Sequence, residues 1–201
     1  MEMAKRFGKT PPALHLLALI LGKLFGWRVV GGDRIPPDPR AMGIIVPHTS
    51  MWDVFFLFVM AYTMGIQANW LVKDTVFKKW YLRWFFRLLG AIPVDRTKSH
   101  NMVDAVVQLI NEHNNIYLAI APEGTRTKGN RWRTGFYYIA LKAKIPIVLM
   151  YTDYKKKETG FGPILTPTGD IQADFKIMKE FYAGVTPKYP ERRNDAVIPE
   201  E

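Results

Sequence analysis

A histidine and an aspartate stand five positions apart in Pro47-His48-Thr49-Ser50-Met51-Trp52-Asp53. Within one helix, residues at that spacing point about 140° apart and do not touch. They meet only if His48 lies in a loop just ahead of a helix and Asp53 reaches back from its first turns, with Thr49 or Ser50 as the cap. A carboxylate on one imidazole nitrogen fixes the tautomer and raises the basicity of the other. That is a positioned general base, suited to deprotonating a substrate hydroxyl. Taken alone, a surface histidine near an aspartate favoured by the helix dipole explains the pair better.

Two further runs change the balance. Ile116-Tyr-Leu-Ala-Ile-Ala-Pro-Glu123-Gly124-Thr125-Arg126 reads as a buried strand opening into a loop that offers glycine, hydroxyl and guanidinium groups. Loops at the carboxyl ends of parallel strands are where α/β folds bind ligands. The Arg126 fork suits phosphate, Gly124 lets backbone N–H groups approach it, and Glu123 either tethers Arg126 or contacts an acceptor. Gly90-Ala-Ile-Pro93-Val-Asp95-Arg96 is again a strand running into a loop with an arginine.

Other chemistries lose ground. The chain has no cysteine, and its two serines, Ser50 and Ser99, lie outside any G-x-S-x-G elbow. No H-E-x-x-H occurs, and no metal site is expected. Gly124 and Gly129 have P-loop spacing, but Asn130-Arg131 stands where Lys-Ser/Thr is required.

The elements that must position these residues alternate. Strands are expected at Trp27–Val30, Ala41–Val46, Gln67–Val72, Ala91–Val94, Ile116–Ala121 and Ile145–Tyr151. Helices are expected at Ser50–Met64, Phe77–Leu89, Ser99–His113, Thr134–Ala143 and Ile171–Tyr182, with a hairpin-like Gly/Pro-rich stretch at Lys155–Pro167. The pattern predicts a single-domain αβα sandwich around a mostly parallel mixed sheet, spanning residues 27–184. Residues 1–26 read as an amphipathic segment whose helix, about Pro12–Phe25, lies on a membrane or packs on the domain. Lys23 and Arg28 interrupt it too early for a span, and no cleavage site marks a signal peptide. Pro187, Pro190 and Pro199 among charges suggest a disordered tail over 185–201.

With 28 Lys and Arg against 18 Asp and Glu, the net charge is +10. Residues 73–98 contribute seven bases and two acids, and residues 121–144 six bases and one acid, so the two segments supply +5 each. The excess therefore surrounds the strand-to-loop junctions, which points to an anionic partner.

In combination, H-T-S-M-W-D, G-A-I-P-V-D-R, A-P-E-G-T-R and the later Ile145-Pro146-Ile147-Val148 resemble the four ordered blocks of the glycerolphosphate acyltransferase superfamily. The closest branch is the bacterial 1-acyl-sn-glycerol-3-phosphate acyltransferases. The resemblance covers about Trp27 to Met150. It implies that His48, oriented by Asp53, deprotonates a lysophospholipid hydroxyl that attacks an acyl thioester, with no acyl-enzyme and no cofactor. The donor is an acyl-CoA or acyl carrier protein. Glu123, Gly124, Thr125 and Arg126 would bind the acceptor phosphate, supported by Arg96 and Lys73, and the Val54–Met60 stretch would line the acyl-chain site. It further implies a peripheral or monotopic place on the cytoplasmic face of a membrane. Arg133-Thr134-Gly135-Phe136 departs from relatives, which often carry a Phe-Lys pair there.

Two other readings compete. Thirteen bases interleaved with Trp80, Trp84, Trp132, Tyr137 and Tyr138 suggest a nucleic-acid surface, but no recognised motif accompanies them. A non-catalytic lipid-binding relative is opposed by the intact His48/Asp53 and Glu123/Arg126 sets.

Overall fold

A computed structural model of the chain describes residues 10–36, 38–94, 102–129 and 131–194, the side chains of 73, 76 and 82 excepted. Seven strands form one sheet in the order β1 (Arg28–Val30), β7 (Glu158–Leu165), β6 (Ile147–Asp153), β2 (Arg40–Ile45), β5 (Ile116–Ile120), β3 (Ala68–Lys73), β4 (Ala91–Val94). β6, β2, β5, β3 and β4 run parallel, β7 is antiparallel to β6, and β1 is parallel to β7. The fold is the α/β sandwich that the alternation predicts.

The period of two in β2 divides its side chains between two apolar layers. Met42 and Ile44 face α4 (Met102–Asn111), α5 (Gly135–Ala143) and α6 (Ile171–Ala183), where Val106, Ile139 and Met178 are buried with them. Ala41 faces α2 (Met51–Thr63) with Leu57 and Met60. Gly43 shares that second face, and a Cβ there would lie 2.7 Å from the Tyr117 ring. The Tyr182 hydroxyl of α6 donates to the carbonyls of Ile44 and Met150 at 3.0 and 3.1 Å, fastening helix to sheet.

α1 (Pro12–Phe25) packs along α2, where His15 Nδ1 meets the Tyr62 carbonyl at 2.8 Å. Its outer face leaves Leu16, Leu17, Ile20 and Leu24 exposed. Among the described residues, no helix is long and apolar enough to cross a membrane.

Three sequence expectations change. The helix expected from Phe77 starts later: Asp74–Lys78 is a 3₁₀ turn, Lys79 is extended, and α3 spans Trp80–Leu88. The Gly/Pro-rich stretch is largely the eight-residue strand β7. Its register against β6 shifts between Val148 and Met150, opposite Gly162 and Pro163, and this irregularity accommodates residues that ordinarily argue against a strand. The tail expected to be disordered from 185 is packed as far as Asn194. Val185 and Pro187 are buried, Pro190–Arg192 makes a 3₁₀ turn, and Arg193 donates to the Tyr182 and Val185 carbonyls. Long-range side-chain bonds, invisible to composition, hold it there.

Candidate active site

The loop from β2 to α2, with a cis Val46–Pro47 peptide, carries His48. Ser50 is the N-cap of α2: its hydroxyl accepts from the Trp52 N–H at 3.2 Å. Asp53 closes the capping box, its Oδ2 accepting from the N–H groups of Thr49 and Ser50 at 2.7 Å each. Oδ1 accepts from the Tyr154 hydroxyl, also at 2.7 Å. Three donors therefore converge on this acceptor-only group, which is 1% exposed. Burial and the bond to Asp53 push the Tyr154 phenol pKa upward, which keeps it a donor.

His48 Nδ1 lies 3.5 Å from Asp53 Oδ2, longer than an ideal N–H···O bond. Nδ1 is buried and has no hydrogen-bond partner among the described residues, and the Asp53 carboxylate stands beside it. The neighbouring hydroxyls are occupied. Ser50 caps the helix, and Thr49 Oγ1 accepts from the Tyr189 N–H at 3.3 Å.

The turn after β5 supplies the second part. Glu123, 4% exposed, accepts at Oε2 from the His48 N–H at 3.1 Å and from Asn194 Nδ2 at 3.5 Å. Burial pushes its carboxyl pKa from 4.5 to about 7, against the lowering effect of those two bonds. Its Oε1 is buried without a partner among the described residues. Glu123 thus ties the two loops together. It does not pair with Arg126, and its burial sets it behind the loop rather than at an exposed anion site.

Gly124 has φ +65°, a left-handed conformation that favours glycine. Thr125 and Thr127 hydroxyls meet at 2.9 Å, and Asn194 clasps the far end of the loop through the Gly129 N–H and the Thr127 carbonyl. Arg126 is exposed. Lys73 ends β3 at the same carboxyl edge of the sheet, whereas Arg96, like Asp95 and Ser99, lies outside the described residues.

His48, Gly124, Thr125 and Arg126 line one cleft of about 870 Å³. Val54, Leu57, Phe58 and Met60 of α2 form part of its apolar wall, and Val103, Val106, Phe136 and Ile139 extend it across α4 and α5. This volume is near the top of the range for small-molecule sites, roughly 300–1,000 Å³. Among the described residues, no three His, Asp or Glu side chains are grouped to hold a metal. The site joins a carboxylate-backed imidazole, an apolar cleft and a cationic rim.

Sequence reasoning did not find Tyr154, Asn194 or Arg133 as site residues. Tyr154 follows β6 just ahead of Lys155, Asn194 sits in the stretch expected to be disordered, and Arg133 follows the last motif residue by seven positions. Only Arg133 left a signal, as a basic residue within the second positively charged segment.

Known proteins share sequence and fold with the chain. The chain is 29% identical over 141 residues to 1-acyl-sn-glycerol-3-phosphate acyltransferase of Saccharomyces cerevisiae, covering 67% of this chain and 44% of that protein. It is 28% identical over 152 residues to the Haemophilus influenzae protein of the same name, covering 70% and 61%. The alignments thus span about half the length of these relatives. The crystal structure of the 1-acyl-sn-glycerophosphate (LPA) acyltransferase PlsC from Thermotoga maritima shares the fold. Its TM-score is 0.62 at 15% identity, covering 86% of this chain and 76% of that one. The Acyltransferase family model matches residues 27–152, more than half of the chain, and the chain belongs to that family.

Proposed function

We propose that the protein transfers a fatty acyl group from an acyl-CoA or acyl carrier protein thioester to the free hydroxyl of a 1-acylglycerol-3-phosphate-like lysophospholipid. The observation that carries this reading is the Asp53-backed His48 opening into an apolar cleft whose rim holds Arg126. With Nδ1–H directed at Asp53, Nε2 is the basic nitrogen. It takes the acceptor hydroxyl proton as the oxygen attacks the thioester carbonyl and forms the new C–O bond. Collapse of the tetrahedral species breaks the C–S bond, and the proton held on His48 leaves with the thiol. The engagement of Ser50 and Thr49 in protein hydrogen bonds supports direct transfer without an acyl-enzyme.

Arg126 pairs with the acceptor phosphate through its fork, and the Gly124–Thr125 turn brings the backbone close to it. Lys73 and Arg96 are assigned supporting roles from their place in the sequence motifs. The α2 wall of the cleft takes the acyl chain. No cofactor enters the chemistry.

The exposed Leu16, Leu17, Ile20 and Leu24 of α1 and the exposed Trp80, Trp84 and Phe85 of α3, beside Arg83 and Arg87, support docking on an anionic membrane interface. The cytoplasmic face is where soluble thioester donors are met. The test is a lysolipid panel crossed with acyl-CoA and acyl carrier protein donors, read by mass spectrometry. Diacyl product from lysophosphatidic acid supports the reading. Absence of acylated product with every pair contradicts it.

A further inference from the structure

Among the described residues, Arg133 is the one cationic side chain that the structure adds to the cleft beyond those the sequence motifs supply. Its backbone is fixed: the N–H donates to the Pro122 carbonyl at 2.8 Å, and the preceding Trp132, 1% exposed, packs on Phe175 and Tyr182. Its side chain lies directly over Gly124. A Cβ built on that glycine would stand 2.7 Å from Arg133 Nε and 3.2 Å from Cζ. Gly124 therefore meets two demands, a left-handed φ and an open α-carbon against which the guanidinium stem rests.

The guanidinium itself is free for a ligand. Arg133 is exposed, lines the cleft with His48 and Arg126, and, like Arg126, has no ion-pair partner among the described residues. The one carboxylate of this turn, Glu123, is buried and engaged with His48 and Asn194. Two unpaired guanidinium groups lining one cleft raise its positive potential and favour an anion there.

A phosphate monoester near neutral pH carries about −1.5 to −2 charges and three terminal oxygens. One guanidinium fork engages two oxygens, so a second finds both an oxygen and residual charge to meet. A phosphodiester offers two terminal oxygens and a single charge, which one fork satisfies. We propose that Arg133 is a second phosphate-binding residue and makes the site select monoester over diester lysophospholipid acceptors. The proposal rests on the acyl-transfer reading above and adds a specificity-determining residue to it.

The experiment compares wild type, Arg133→Ala and Arg133→Lys with lysophosphatidic acid, a monoester, and lysophosphatidylglycerol, a diester, under one acyl donor. Arg133→Ala is expected to raise KM for the monoester roughly 10- to 100-fold, the size of a lost charge-assisted hydrogen bond. KM for the diester is expected to move less than about 3-fold. Arg133→Lys recovers part of the loss, because a point charge replaces a fork. A disturbed fold would depress both acceptors alike, and an equal loss on both overturns the proposal, as does an unchanged monoester KM.

A second arm needs no turnover. Calorimetric titration with soluble glycerol 3-phosphate and glycerophosphoglycerol is expected to show monoester binding that weakens at least 10-fold in Arg133→Ala, with the diester unaffected. If the wild type acylates neither lipid, the acyl-transfer reading fails, and this arm still decides the role of Arg133. Equal binding of glycerol 3-phosphate by wild type and variant, or no binding by either, overturns it.

Discussion

The two loops that meet at the cleft are built by different means. The His48 loop is held from within: Ser50 and Asp53 form a capping box three residues apart, and Asp53 gathers the Thr49 and Ser50 N–H groups. The Glu123 loop is held from outside, by the His48 backbone 75 residues away, by Asn194 71 residues away and by Arg133 lying on Gly124. The first conformation is framed by bonds within six neighbouring residues, and Glu123, Tyr154 and Tyr189 add long-range bonds to that frame. The second exists only when three distant parts of the chain have come together. A base whose direction matters is thus carried on the loop with its own capping frame, and the anion-binding rim on the loop that relies more on distant partners.

Breaking the local loop has the largest expected effect. Asp53→Ala removes the partner of His48 Nδ1 and one half of the capping box. Turnover is expected to fall by roughly 10³- to 10⁴-fold, as for loss of the orienting carboxylate in other base dyads. Chemical denaturation should show an accompanying loss of about 0.5–2 kcal/mol from the cap. Turnover within 10-fold of wild type would show that His48 needs no orienter.

Breaking the dependent loop tests the other side. Asn194→Ala leaves the Gly129 N–H and the Thr127 carbonyl without their partner and should cost about 1–3 kcal/mol. Because the Arg126 rim moves with that loop, acceptor KM should rise more than kcat falls. A fall in kcat alone would mean that the strap serves the base instead.

Glu123, the link between the loops, gives a pH signature. A carboxyl whose folded-state pKa stands near 7, above its unfolded 4.5, contributes stability below pH 4.5 and loses it as pH rises towards 7. Thermal melts from pH 4.5 to 7.5 should therefore fall less steeply in Glu123→Gln, which still offers His48 an acceptor oxygen. Parallel slopes would remove Glu123 as the titrating group. The smallest effect is expected for Tyr154→Phe, which deletes one bond to Asp53. A loss of about 0.5–1.5 kcal/mol and a few-fold drop in kcat should follow, and an unchanged kcat would assign Tyr154 to packing alone.

The same contrast explains what the sequence could reveal. His48, Ser50 and Asp53 are legible because capping chemistry acts over three or four residues, and the alternation of strands and helices gives the sheet. β7 is hidden by Gly162 and Pro163, whose irregularity is resolved only by the register against β6. Asn194 and Tyr154 carry no local signal, since their roles come from bonds spanning 71 and 101 residues. Glu123 was visible as a motif residue, yet its orientation towards His48 instead of Arg126 depends on tertiary packing.

The central claim is that His48 acts directly on the acceptor hydroxyl. Its most direct test is the acyl-transfer rate of His48→Ala with lysophosphatidic acid, alongside a melt of the same preparation. The account predicts a fall at least as large as that of Asp53→Ala, about 10³- to 10⁴-fold, in a protein that still unfolds cooperatively near the wild-type temperature. Near-wild-type transfer by that folded variant would contradict it.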